Sequence, residues 1–261
     1  MRCMMAVMLL LGLASLNSIH GQSLADSELD KGPDLTSGQA RPTEPASTPK
    51  GDGTVSVAAL KTPDKAMKEI QRSDKAFLSG DVRGSAEHLE KALEIYPDSA
   101  VVHNALGARY AALKEHDKAI AQFEKAIALN PRYHLAMDNM TVEMCVLHRF
   151  ADAEPIAKQA LALEPESANS QYLLGSILVE EGHYTGEPVK LLESAKVAFP
   201  RAYLFLAKAA VGRGENAKAA EELRAYLQSP ATEKKAAQDW LEMLQRQDEA
   251  ARKTAKEHEA D

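Results

Sequence analysis

Residues 100 to 131 read AVVHNALGARYAALKEHDKAIAQFEKAIALNP, and the rest of the chain repeats the pattern of this stretch. Leu106, Gly107 and Tyr110 fall on one face of a first helix. Ala119, Phe123 and Ala126 fall on one face of a second, and Pro131 ends the unit. Two helices that cross at about 8 to 10 Å leave little room between their backbones, so Gly107 and Ala119 are small while Tyr110 and Phe123 fill the wider space beside them. Proline has no N–H to continue a helix, so Pro131 stops the second helix and starts the turn to the next unit. A lone hairpin cannot bury its apolar face, and stacked copies are needed.

Those copies are present. Closing prolines stand at 97, 131, 165 and 200, at intervals of 34, 34 and 35 residues. The spacing L-G-x2-Y, A-x3-F, P resembles the tetratricopeptide repeat. The resemblance implies an all-α, right-handed solenoid of helical hairpins with a capping helix at its C-terminal end. We read about five repeats, at 66–99, 100–133, 134–167, 168–202 and 203–227, within an array spanning 63–230. The first is degenerate, with Ser73 where glycine is usual and Ala76 where tyrosine is usual. The third replaces Leu-Gly by Met140-Thr141, and the fourth keeps Leu174-Gly175 but places Leu192, Ala195 and Pro200 one residue late.

Outside the array the composition changes. Residues 1–21 carry one positive residue, an apolar run from Met4 to Ala14 and then small polar residues, the layout of a secretory signal peptide cut after Gly21 or Ala25. The run is shorter than the ~17 to 25 residues that span a bilayer, so no stable membrane span is expected after cleavage, the alternative being retention as an anchor. Residues 22–62 are expected to be a disordered tether, rich in Pro, Ser, Thr and charge, ending in the short apolar lead-in TVSVAAL and a Thr62-Pro63 helix start. Residues 231–261 read as a capping helix whose stripe is Ala236, Trp240, Leu241 and Leu244, with a tail that frays past Ala251.

The formal net charge is −7, and one unit more negative once Arg2 leaves with the leader, so the chain lacks the basic footprint of a nucleic-acid binder. Its two cysteines are Cys3, in the leader, and Cys145, so a mature chain has one thiol and no internal disulfide. Met137, Met140 and Met144 take the places of the pattern that face the partner helix, and core packing explains them. His116, His148 and His183 fall at inter-helix turns, too far apart to share one ion, and are expected to be solvated. Pro155 and Pro188 are expected at the third position of their helices, behind Asp152 and Thr185 as N-caps. No nucleophile elbow, zinc-protease, phosphate-loop or C-x-x-C motif occurs. No catalytic, cofactor or metal site is expected, and the chain is read as a non-enzyme.

In tetratricopeptide arrays first-helix residues that avoid the core line the inner face, and a protein or peptide binds there. The resemblance assigns that groove to Ile70, Asp74 and Phe77, to Asn104, Ala108 and Ala111, to Asp138, Val142 and Cys145, and to Tyr172, Ser176 and Val179. Ile70, Asp74 and Leu135 stand where repeats that clamp chaperone tails carry paired Lys, Arg and Asn, which argues against that ligand. Apolar contact plus hydrogen bonds from Asn104 suits an extended or helical peptide. The function expected is an exported, periplasmic or extracellular scaffold that binds a protein or peptide in the cell envelope. The alternatives are an accessory subunit of an envelope enzyme or of a secretion or assembly complex, and a self-assembling structural protein.

Overall fold

The computed structural model describes residues 62–231 and 234–260, with side chains to residue 254. The leader, the tether up to residue 61 and its apolar lead-in lie outside the described residues. Eleven helices and no strand make up what is described. The chain divides into two compact units, one ending at Ile177 and one starting at Leu178.

The first unit contains α1 (Asp64–Leu78), α2 (Val82–Ile95), α3 (Ala100–Ala112), α4 (His116–Leu129), α5 (His134–Val146) and α6 (Phe150–Leu163), and it includes the start of α7 (Ala168–Glu180). Helices α1 and α2, α3 and α4, and α5 and α6 pack as hairpins, while α2 packs on α3 and α4 on α5. Local chemistry sets the ends. Asp81 caps α2 by accepting from the Gly84 N–H at 2.8 Å, and Ser99 caps α3 by accepting from the Val102 N–H at 3.4 Å. Pro63, and not Thr62, is the capping residue of α1, with no side-chain bond.

Each turn inside a hairpin needs one left-handed residue. Gly80 supplies it before α2, but Lys114 and His148 take it at φ of 59° and 54° in the next two hairpins, where any side chain is disfavoured.

The core of each hairpin is a size match. Gly107 lies against the Phe123 ring so closely that a Cβ there would stand 2.5 Å from a ring carbon. In the next hairpin the sizes are exchanged, with Thr141 where glycine stands and Ala157 where phenylalanine stands, both fully buried. Met137, Met140 and Met144 are buried as expected. The exchange leaves the Thr141 hydroxyl buried with no hydrogen-bond partner. An unmet buried polar group costs about 1 to 3 kcal/mol. Thr141→Val keeps the branched shape and is therefore expected to raise the unfolding free energy by about 1 kcal/mol in urea titrations. An unchanged or lower midpoint contradicts this.

Pro155 sits further along its helix than expected. Arg149 is the N-cap of α6, so Pro155 lies inside the helix, at its sixth position, on an exposed face. Asp152 does not cap; it pairs with Arg149 at 2.9 Å.

The second unit holds the end of α7, then α8 (Glu187–Ala195), α9 (Ala202–Gly212), α10 (Asn216–Gln228) and α11 (Lys235–Ala260), each of the last three packed on its predecessor. Helix α8 has only nine residues. Gly186, at φ 76°, precedes it in place of the expected Thr185, and Pro188 falls at its second position. Tyr184 lies over Gly212, and its carbonyl accepts from Arg213 Nη1. Ala237, Trp240 and Leu244 of α11 close over Leu204, Leu223 and Tyr226. The stripe therefore centres on Ala237, with Ala236 only half-buried, and α11 continues past Ala251 to Ala260.

Candidate functional site

Residues four and three apart share a helix face, so the expected site residues fall in rows on α1, α3, α5 and α7. Ile70, Asp74 and Phe77 on α1, Asn104, Ala108 and Ala111 on α3, and Cys145 on α5 are all half-buried. Asp138, Val142, Tyr172 and Ser176 are buried, and so is Val179 within the second unit. For these five, the groove expectation needs correction, because their side chains pack into the protein and present no open contact surface. Asp138 shows the reason. Its carboxylate accepts from Asn169 Nδ2 at 2.9 Å and from Ser170 Oγ at 3.0 Å, which ties α5 to α7. Ser176 donates back to the Leu173 carbonyl at 2.8 Å.

Asn104 is also engaged by the protein. Its side-chain oxygen accepts from Asn139 Nδ2 at 2.9 Å. It is a brace between α3 and α5, and its side-chain oxygen is already engaged. The open part of the face is therefore the stretch shared by α1 and α3.

A residue absent from the expectation dominates that stretch. Arg109 of α3 lays its guanidinium 3.7 Å from the centroid of the Phe77 ring and donates from Nε to Ser85 Oγ at 3.0 Å. Ser85 lies 2.8 Å from Ser73, and both hydroxyls are fully buried between α1 and α2. These are the positions where the repeat pattern calls for glycine and alanine. The degeneracy of the first hairpin is thus a polar seat for an arginine. Burial holds the Asp74 carboxyl above its ordinary range and Arg109 partly offsets this; burial also lowers Arg109, with Asp74 opposing. The guanidinium nevertheless stays charged.

The expectation that turn histidines are solvated fails for His116. Its Nδ1 lies 2.6 Å from Glu143 Oε2, and Glu143 is buried on α5. His148 and His183 are exposed, the first edge-on to Phe150 at 5.8 Å. Among the described residues no three His, Cys, Asp or Glu gather as a metal site would require.

Burial raises the Glu143 carboxyl above 4.5, with His116 opposing. A carboxyl whose folded value is raised holds a proton that the unfolded chain has released, so its contribution to stability grows as pH falls from neutrality toward 4.5. Glu143→Gln is expected to flatten the rise in melting temperature between roughly pH 7 and pH 5. Parallel curves for the two proteins would contradict the assignment.

Comparison with known proteins bears on the fold. The tetratricopeptide repeat family model matches residues 100–133 and, in a second form, 147–202. Human tetratricopeptide repeat protein 28 is 28% identical over 111 residues, 42% of this chain and 4% of that protein. Anaphase-promoting complex subunit 3 of Schizosaccharomyces pombe is 30% identical over 90 residues, 34% of this chain and 14% of that one. The chain thus spans a small part of these curated relatives. Among solved structures, MamA from Desulfovibrio magneticus RS-1 superposes with a TM-score of 0.59 at 18% identity, over 64% of this chain and 95% of that one. YrrB, described as a repeat protein with an unusual peptide-binding site, gives 0.54 at 18%, over 62% and 84%. PilW, described as a type IV pilus biogenesis factor, gives 0.55 at 22%, over 63% and 77%.

Helical hairpins with this core pattern define a repeat scaffold of the kind used for protein–protein interaction. The chain is a tetratricopeptide repeat protein. No helix among the described residues is long and apolar enough to cross a membrane.

Proposed function

We propose that this protein is an exported, non-catalytic scaffold that holds a segment of a partner protein in the cell envelope, on the face shared by α1 and α3. The observation that carries the reading is the half-open row of Ile70, Asp74, Phe77, Ala108 and Ala111. Small side chains on α3 leave room there, while aromatic and charged groups stand beside it. The leader-like residues 1–21 support export, and a periplasm suits a chain with a single mature thiol. The descriptions of YrrB and PilW, one a peptide-binding repeat protein and one a pilus biogenesis factor, lend analogy and no more.

The test is fractionation of the native host with mild cross-linking, comparing the wild type with Ala108→Arg. The reading expects a mature N-terminus near residue 22 or 26, outside the cytosol, and a stoichiometric partner that the variant loses. An intact N-terminus in the cytosolic fraction sinks export, and an unchanged partner set sinks the face.

A further inference from the structure

Arg109 and Asp74 make an incomplete pair. The guanidinium is fixed in plane by Phe77 beneath it and by Ser85 on Nε, at 3.7 and 3.0 Å. Ser85 Oγ is held in turn by Ser73, so the seat is rigid and buried. Among the described residues the Nε bond to Ser85 is the one hydrogen bond that the Arg109 side chain makes, which leaves the terminal Nη1–Nη2 edge of its fork unused. The carboxylate of Asp74, one turn before Phe77 on α1, accepts no hydrogen bond among the described residues. The two charges act on each other, yet no ion pair closes between them within 4.0 Å.

A ligand group that completes this arrangement must accept from Arg109 and donate to Asp74. A free carboxylate satisfies the first and is repelled by the second. An ammonium does the reverse. A neutral secondary amide does both, its carbonyl toward the guanidinium and its N–H toward the carboxylate, and hydrogen bonds to charged groups are the stronger kind. Ala108 and Ala111 leave the approach open beside the pair.

We propose that Arg109 and Asp74 form a site for a main-chain amide of an uncharged stretch of an extended partner segment lying along α1 and α3. The inference rests on the reading of this face as a binding surface and gives that surface its ligand chemistry: a peptide main chain, in preference to a chain terminus.

The full-length mature protein is titrated by fluorescence anisotropy against an array of ten-residue peptides acetylated and amidated at their ends, with and without Asn or Gln. The same peptides with a free C-terminal carboxylate, and with single main-chain N-methylations, form the comparison. Capped peptides lacking Asn and Gln are expected to bind. Asp74→Asn and Arg109→Gln are each expected to weaken binding by about tenfold, as is N-methylation at one position of the peptide. Asp74→Asn breaks no side-chain hydrogen bond among the described residues, so an unchanged melting temperature separates lost binding from lost structure. Tighter binding of free-carboxylate peptides, a requirement for Asn or Gln, or indifference to Asp74→Asn overturns the amide site. If Phe77→Ala still abolishes binding in those cases, the face itself stands. Binding of no peptide at all overturns both.

Discussion

Trp240→Ala is expected to lower the stability of the second unit by about 3 to 5 kcal/mol, the loss typical of truncating a buried aromatic. Trp240 is 5% exposed and lies in the cluster that α11 forms with Leu204, Leu223 and Tyr226. Terminal elements of repeat arrays cover an apolar face that no further repeat will bury, so loss of the ring uncovers the cluster as well as leaving a void. The indole N–H is buried with no hydrogen-bond partner, so only the apolar body of the side chain contributes favourably. Trp240→Phe removes that N–H along with some volume and is expected to cost far less than Trp240→Ala. Urea unfolding followed by circular dichroism measures both. If the two substitutions cost the same, or if Trp240→Ala costs under about 1 kcal/mol, then α11 does not cap the unit in the way described.

Phe123→Ala is expected to cost about 3 to 5 kcal/mol in the first unit, for the same reason of a cavity in a packed core. Its partner gives a sharper prediction. Alanine is favoured over glycine inside a helix by about 1 kcal/mol, so propensity alone makes Gly107→Ala stabilising. Packing says the opposite, because the added methyl would stand 2.5 Å from the Phe123 ring, whose side chain is fully buried and has nowhere to go. Overpacking of this kind costs about 1 to 3 kcal/mol, and Gly107→Ala is expected to destabilise by that order. In a Phe123→Leu background the clash is relieved, and Gly107→Ala is then expected to be neutral or stabilising. A double-mutant cycle reads the coupling directly. Additive effects at the two positions would contradict the size match.

The hairpins were legible because their spacing has a mechanical cause. Gly107 against Phe123 is a contact that residue size alone foretells, and the buried methionines of α5 follow from their place in the pattern. The candidate site was harder to read. Carrying over a face from the repeat pattern names positions but not their depth, so Asp138, Val142, Tyr172, Ser176 and Val179 were named although tertiary packing covers them. Arg109 escaped that reading because its hydrogen-bond partner Ser85 lies 24 positions away, in the preceding hairpin. A signal for it did exist: Ser73 and Ser85 replace the two small apolar residues of the first hairpin, and two hydroxyls in a core ask for a third polar group. The same place in the next hairpin holds Glu143, and His116 comes to it. A histidine two residues past a turn looks solvated in sequence, since its partner lies 27 positions away. Pro155 shows the limit for helix ends, because no side-chain cap fixes the start of α6 and the sequence offered Asp152 instead.

The most direct test of the binding face is site-specific photo-cross-linking in the native host, with the reactive residue placed at Ala111 on α3 or at Lys125, exposed on α4. The account predicts covalent adducts with a partner protein from position 111 and none from position 125. Adducts from 125 with none from 111 would contradict it, and would move the binding surface to the second helices of the hairpins.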